Sequence, residues 1–359
     1  MAQDVLNTAQ KKTERAFRVE ALQGADFSAW DAYVSATDKC TLYHNSVLPK
    51  MIKQLFGHHY HCFLAWDESG KVIGVLPLIH MKSVLFGNYM VSMPYFNYGG
   101  AVAINEEVEQ ALMSCAIERG KSLNVTHIEF RDAHERDTSL PVRLDKVAML
   151  LDLPEEPDIL WQAIGAKRRS QIKRPIREGV EVLTGKGELL DQFYDVFARN
   201  MRDLGTPVYS KRFFQEIINR VSDNAHIVVV RHDDKPVAAA FLLGYRGQME
   251  IPWASTLREV NKIGVNMFLY WEVLKYSIEQ GFKTFDFGRS SVDSGTFRFK
   301  KQWGAKPKQL YWYYWMRDGG ELPQLNPNNP KYQLVIKLWQ KLPLALTKLL
   351  GPMIVKNLP

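Results

Sequence analysis

The chain contains an internal duplication. FLAWDESGKVIGVLPLIHMK (63–82) and IVVVRHDDKPVAAAFLLGYR (227–246) share one plan: a short apolar strand, an Asp-containing polar turn and a longer apolar strand. Each predicts a β-hairpin. A helix-like segment precedes each copy, HNSVLPKMIKQLFG (44–57) and SKRFFQEIINRVSD (210–223). Each is followed by a further strand, by a helix ending near Gly (106–120 and 265–281), and by a strand carrying an acid, THIEFRD (126–132) and KTFDFGR (283–289). Elements that match in order at one shift of roughly 160 residues point to two copies of a single α/β unit.

The order helix, hairpin, strand, helix, strand, on a mixed central sheet, is that of the GNAT-type acyltransferase fold, so two tandem GNAT-like domains are expected. The expected division is a flexible tail over 1–16, a first unit over 17–145, a second and catalytic unit over 146–320, and a basic amphipathic tail over 329–359. The link DTSLPVRLDKVAMLLDLPEEPD (137–158) is punctuated by proline and holds a crossing strand near 146–152. Asp158 reads as the N-cap of a helix that Pro175 breaks or kinks.

Composition narrows the chemistry. A hydrophobic content of 46% over 359 residues supplies real cores. Every long apolar run is interrupted before about 18 residues, which argues against a membrane span. The first residues, MAQDVLNTAQKKTERAF, lack an apolar signal core, so a cytoplasmic start is expected. The three cysteines, Cys40, Cys62 and Cys115, show no CxxC spacing, and His58, His59 and His61 fall on different faces of a strand entry. No metal is expected. A net charge of +7 favours anionic partners, phosphate groups, RNA or acidic lipid, with DNA not among them.

Several residues carry candidate chemistry. Glu250, in QMEIPWAS, sits where an acyltransferase would place a general base; it reads equally as a structural partner of an arginine. Asp286 has the same two readings, and Glu129 is its counterpart in the first copy. In FRFKKQWG, Lys300 or Lys301 between Phe299 and Trp303 would support the oxyanion of acyl transfer, or would pack as a cation on the aromatic rings. Arg289, Arg298 and Trp303 in this region are candidate substrate contacts. Gly264 and Asn266, in the IGVN turn before a helix, would offer backbone N–H groups to a pyrophosphate, or would simply start the helix. The stretch KRRSQIKRPIR (167–177) has six cations and no acid. Arg168 is the member assigned to substrate, and a solvated helix face is the alternative. In PYFNYGGA (94–101), Asn97, Tyr98 and Gly99 would bind a polar acceptor, with Gly99 and Gly100 allowing close approach, or would form a tight turn packed by its aromatics. No nucleophile elbow, GxGxxG or Walker pattern is present, which argues against covalent catalysis and nucleotide hydrolysis.

With NMFLYWEVLKYSIEQGFKTFDFGRS (266–290) and GTFRFKKQWGA (295–305), the chain resembles the Fem family of peptidoglycan-bridge aminoacyltransferases. FGNYMVSMPYFNYGGA in the first copy and the tail LPLALTKLLGPMIVKNLP are similar to FemAB-related proteins of PEP-CTERM and exopolysaccharide systems. The resemblance covers nearly the whole chain after residue 17. It implies transfer of an acyl or aminoacyl group to an amine of a cell-envelope precursor, with Lys300 at the position of the family's functional lysine. The implied donor is aminoacyl-tRNA, or acyl-CoA given that the long helical arm of many members is missing, and no tightly bound cofactor is implied. The alternative is a non-catalytic protein of the same fold that recognises a saccharide or lipid-linked precursor. After Glu321 there are lysines but no acids. Asn329 and Pro330 can start a helix there, and Pro343 divides the tail into two short helices. Such helices would lie on the inner face of the cytoplasmic membrane, or pack on the second unit.

Overall fold

The computed structural model describes residues 16–22, 24, 26–84, 86–323 and 330–358, so residues 1–15 of the expected N-terminal tail lie outside it. Both copies of the repeat form as α/β units. The first has helix Val47–Phe56, hairpin Phe63–Asp67 and Val72–Leu76, strand Gly87–Val91, helix Glu106–Ser122 and strand His127–Asp132. The second answers with helix Lys211–Arg220, hairpin Ala225–His232 and Lys235–Tyr245, strand Gln248–Thr256, helix Val265–Glu279 and strand Thr284–Ser291. Local chemistry explains the boundaries. Asn105 caps helix Glu106–Ser122 by accepting from Val108 N at 3.0 Å, with acids in its first turn and Arg119 and Lys121 in its last, as the helix dipole favours.

The helix expected from Asp158 differs in two respects. Its N-cap is Glu156, with Pro157 in the first turn, and the break falls at Gly165, between helices Pro157–Ala163 and Ala166–Arg177. Gly165 takes a φ of 81°, left-handed backbone that costs glycine little. Pro175 lies in the last turn of the second helix, where its missing N–H removes one hydrogen bond without ending the helix.

One strand returns from the second unit to the sheet of the first. In the seven-stranded sheet of the second unit, Lys146–Asp152 lies between Thr284–Ser291 and Lys306–Gln309. In the six-stranded sheet of the first unit, Tyr311–Met316 lies between His127–Asp132 and Val142–Arg143. The chain crosses once after Arg143 and returns after Gln309. A second unit running unbroken to residue 320 is therefore corrected: Tyr311–Met316 has its ladder hydrogen bonds in the first unit. A separate four-stranded sheet holds Phe17–Ala21, the first hairpin and Val102–Ala103.

One apolar core spans both units, bringing Tyr43, Met51 and Ile52 together with Phe193, Phe197, Phe214 and Phe241. Phe56 and Phe213 stack across the boundary at 5.8 Å. A second core covers the other face of the seven-stranded sheet, where Met249, Ile251, Phe285 and Phe287 meet Leu269 and Val273 of helix Val265–Glu279. Strand alternation then turns Glu250 and Asp286 towards the first unit.

The C-terminal tail forms helices Pro330–Gln340 and Leu344–Val355, with Pro343 ahead of the second, while Asn329 lies outside the described residues. Both helices contact helix Leu190–Leu204 of the second unit. Tyr95 and His58 of the first unit hydrogen-bond the Lys356 carbonyl at 2.6 and 2.7 Å, so the chain end bridges the two units. Among the described residues no helix is long and apolar enough to cross a membrane.

Candidate functional site

Strands Gln248–Thr256 and Thr284–Ser291 run parallel and pair at three positions only: Gln248 with Thr284, Met249 with Phe285, and Glu250 with Asp286. Past that rung the ladder ends, so the two acids sit side by side where the strands part. Every carboxylate oxygen of the pair has a donor. Asn97 Nδ2 donates to Glu250 Oε1 at 3.1 Å and Tyr43 Oη donates to Glu250 Oε2. Tyr98 Oη donates to Asp286 Oδ2 at 2.6 Å, and the Gly288 N–H donates to Asp286 Oδ1 at 2.7 Å. Three of the four donors come from the first unit. The site is thus built across the boundary between the copies.

Two carboxyl groups in one dry place cannot both ionise easily. Burial raises the pKa of Glu250, and the Asp286 charge adds to the rise. Burial also raises that of Asp286, against the Tyr98 and Gly288 hydrogen bonds and the Lys300 charge that oppose it. Lys300 is buried too, and burial pushes it down to about 8 despite the nearby acids.

Lys300 lies in the short helix Gly295–Lys301, which Ser294 caps by accepting from Phe297 N at 3.1 Å. The Lys300 ammonium donates to the carbonyls of Gly288 and Arg289, each at 3.0 Å, so the packing of a cation on Phe299 and Trp303 is replaced by backbone capture. Lys301 is exposed.

The other candidate residues separate. Asn97, Tyr98, Glu250, Asp286 and Lys300 converge, and Gly99, at φ 135°, lies in the loop that delivers the first two. A Cβ on Gly99 would lie 2.7 Å from Met93 Cβ. Trp303 is buried in the second core, so its expected substrate contact is corrected to a packing role. Arg298 is exposed and donates to the Asp293 carbonyl at 2.8 Å, a local contact away from the acids. Arg168 donates to the Ile164 carbonyl at 2.8 Å, closing the end of the preceding helix. Asn266 accepts from Thr256 Oγ1 at 3.2 Å, and Gly264, at φ 84°, makes the turn into helix Val265–Glu279. Among the described residues no group of histidines, cysteines and acids could hold a metal.

One cavity reaches the acid pair, and a larger cleft lies beside it. A cavity of about 130 Å³ touches Tyr43, Tyr98 and Glu250, with Arg246 and Asp38 also on its wall. A cleft of about 1040 Å³ is lined by Arg289 and Ser290 from the end of the Asp286 strand, and by Arg131 and Trp312 of the first unit. Tyr43, Arg131 and Trp312 escaped the sequence reading. The spacing of Glu129 and Arg131, two apart on one strand and so on one face, was the available signal for Arg131. Tyr43, in TLYHN, carried none.

The family described as acetyltransferase (GNAT) domain matches residues 166–301. No curated protein matches the sequence. Among solved structures, FemX superposes with a TM-score of 0.61 at 16% identity, covering 88% of this chain and 100% of its own. L-PGS from Bacillus licheniformis superposes at 0.55 and 15% identity, covering 88% and 98%. A tandem GNAT protein from the clavulanic acid biosynthesis pathway gives 0.54 at 11%, covering 85% and 100%. The chain is, in fold, a tandem pair of GNAT-type units with mixed sheets, and the acid pair lies where two strands of the second unit part.

Proposed function

We propose that the protein is an acyl- or aminoacyltransferase that moves its group to an amine of a cell-envelope precursor, with the segment from 146 onward as the catalytic unit. The observation that carries this reading is Glu250 beside Asp286 at the parting of two strands, next to buried Lys300, in a tandem GNAT-type fold. An ammonium acceptor must lose a proton before its nitrogen can attack a carbonyl carbon. An acid pair whose pKa values are raised towards neutrality is suited to take that proton. The C–N bond then forms, the C–S bond of a thioester or the C–O bond of an aminoacyl ester breaks, the proton held by the acids passes to the departing sulfur or oxygen, and the second proton of the former ammonium leaves to solvent. Lys300 stabilises the negative carbonyl oxygen in between. Asn97, Tyr98 and Gly99 position the acceptor, and Gly264 and Asn266 lie towards the donor. The GNAT-type fold supports acyl-CoA as donor and the Fem resemblance supports aminoacyl-tRNA. A peptidoglycan or exopolysaccharide precursor, and a relation to PEP-CTERM systems, rest on the sequence resemblance alone. Work on the inner face of the cytoplasmic membrane, against a lipid-linked precursor, rests on the basic tail.

A second reading, a non-catalytic protein that binds such a precursor, is favoured by the saturation of all four carboxylate oxygens with protein donors. Purified protein supplied with labelled acyl-CoA or charged tRNA and an amine-bearing precursor separates the two. Transfer of label is expected, and Lys300→Ala should slow it by about 10²-fold. Unchanged turnover in that variant removes Lys300 from the mechanism. A precursor retained in equilibrium dialysis but never modified, from either donor, supports the binding reading instead.

A further inference from the structure

The loop that brings Asn97 and Tyr98 to the acid pair has a backbone shape that its own sequence disfavours. Met93 and Tyr95 have φ values of 54° and 74°, left-handed backbone without the freedom of glycine. Such conformations persist where the surroundings over-determine them. Two buried arginines of the first unit fix the loop from one side: Arg131 donates to the Phe96 carbonyl at 2.5 Å, and Arg136 to the Ala101 carbonyl at 2.7 Å. The other side is fixed from the end of helix Leu344–Val355, which packs on the second unit. The last carbonyls of a helix have no partner within it. Here the first unit takes them up. Tyr95 Oη and His58 Nε2 donate to the Lys356 carbonyl at 2.6 and 2.7 Å, and Tyr89 Oη donates to that of Asn357 at 2.8 Å. Of these three donors Tyr95 is the one in the loop, just ahead of Asn97 and Tyr98 in the chain. Its ring meets Phe56 of the first unit, and Tyr209 and Phe213 of the second, at 5.2, 5.9 and 6.2 Å between centres.

We infer that Tyr95 is a positioning residue of the acid pair, through whose hydroxyl the segment Lys356–Asn357 holds the loop where Asn97 reaches Glu250 and Tyr98 reaches Asp286. Each of those two bonds joins a side chain of the first unit to a carboxylate of the second, so it depends on how the loop is held against the other unit. The segment is suited to set this. It leaves a helix seated so tightly on the second unit that a Cβ on Gly351 would lie 2.8 Å from the Val208 backbone, and it bonds to the first unit at the loop itself. Without the Tyr95 hydroxyl the loop is released at a strained residue. Asn97 and Tyr98 donate to the charged forms of the carboxyls and so favour them. A loop that drifts withdraws these donors, and the acids then keep their proton to higher pH. That the loop serves an acceptor amine rests on the transferase reading; the link from Tyr95 to the acids does not.

The test is a pH titration of the infrared band of protonated carboxyl groups in the full chain, assigned to the pair by its loss in Glu250→Gln and in Asp286→Asn. Tyr95→Phe keeps the ring and its packing and removes only the hydroxyl. Its midpoint should rise by about half a pH unit or more, roughly threefold in the protonation constant. Tyr43, Lys300 and Lys308 also act on the pair and are untouched by this substitution. Tyr276→Phe is the control, because Tyr276 Oη bonds to His226 Nδ1 at 2.9 Å on the other face of the seven-stranded sheet, and its midpoint should match the parent's. A chain ended at Val355 lacks the acceptor carbonyls. It should show the same rise as Tyr95→Phe, and combining the two changes should raise the midpoint no further. An unmoved midpoint in Tyr95→Phe, an equal rise in Tyr276→Phe, or additive shifts from Tyr95→Phe and the shortened chain overturns the inference. On the transferase reading, the low-pH limb of kcat/KM should move up with the band. Label transfer with an unmoved band would defeat this inference and leave the transferase standing; a moved band without transfer from either donor would do the reverse.

Discussion

On strand His127–Asp132, Glu129 lies 2.6 Å from Arg131 and accepts from Tyr314 Oη at 2.8 Å, and its pKa falls below the ordinary carboxylate value although it is buried. Its ladder neighbour on Gly87–Val91 is Val91. In the second unit the equivalent neighbours are Asp286 and Glu250, and the position two residues after Asp286 is Gly288 in place of an arginine. One unit neutralises a single acid with a close guanidinium; the other packs two acids against a lysine that bonds to carbonyls. The pH dependence of stability follows from these shifts. Lys300, pushed down to about 8, has lost its proton in the folded chain while the unfolded chain still holds it, up to the ordinary value of 10.5. Its contribution therefore rises with pH across that window. The raised acids act oppositely: as pH climbs from the ordinary carboxylate range to their folded values, the folded chain keeps protons that the unfolded chain has released, and stability falls. Urea midpoints of the parent should rise between pH 8 and 10 relative to those of Lys300→Met. Parallel curves for the two proteins would mean that Lys300 titrates as an ordinary lysine.

At the level of elements, the C-terminal helices present two contrasting surfaces. Trp339, Thr347, Gly351 and Val355 are buried, and Gly351 is pressed so closely on Val208 that a Cβ would lie 2.8 Å from its backbone nitrogen. Leu334, Val335, Leu338, Leu349 and Met353 are each more than half exposed, among Lys337 and Lys341 and with no acid after Glu321. Packing on the second unit and contact with a lipid surface, alternatives at the level of sequence, are compatible because they use different residues. Leu338→Ser with Leu349→Ser should lower binding to phosphatidylglycerol-containing vesicles several-fold, since each buried leucine is worth roughly 1.5–3 kcal/mol at most. The melting temperature should stay unchanged, because neither side chain belongs to the core. Vesicle binding equal to the parent's would remove these helices from any membrane role. The helices were legible because a proline at 343 and uninterrupted lysine–leucine spacing are local signals. So were the acid-bearing strands, whose period of two repeats in both copies, and the hairpins, whose apolar runs flank an Asp-containing turn, although in the first copy the second run ends at Leu76 and Ile79–Ser83 joins another sheet. The short helix Gly295–Lys301 was not: its Ser294 cap is visible, but seven residues rich in aromatics read equally well as a loop until Phe297 and Trp303 are seen to be buried. The capture of Lys300 by the Gly288 and Arg289 carbonyls joins groups 12 and 11 residues apart, a tertiary fact with no periodic trace.

For the whole molecule, the return of Tyr311–Met316 makes the first unit's sheet depend on chain from beyond its boundary. The duplication predicted two units and their order but not this return, because a strand's sequence states which of its faces is apolar without saying which neighbours it joins. Tyr311–Met316 supplies Tyr314, whose hydroxyl holds Glu129, and Trp312, on which Arg131 and Arg289 lie. It also fills the place between His127–Asp132 and Val142–Arg143. A chain ended at residue 310 keeps every strand of the seven-stranded sheet, and with it Glu250, Asp286 and Lys300, yet leaves His127–Asp132 with an open edge and Glu129 without its phenol. The damage should then appear in the first unit, as well as on helix Leu190–Leu204, which loses the two C-terminal helices packed on it. Hydrogen exchange is expected to quicken on His127–Asp132 and Gly87–Val91 and to spread to the loop carrying Asn97 and Tyr98, while Lys235–Tyr245, deep in the other sheet, stays protected. The core shared by Met51, Ile52, Phe193 and Phe214 opposes independent behaviour of the halves, so global stability should fall as well, by the several kcal/mol typical of exposing large apolar side chains. Exchange unchanged on His127–Asp132 would mean that the first unit closes its sheet without the returning strand.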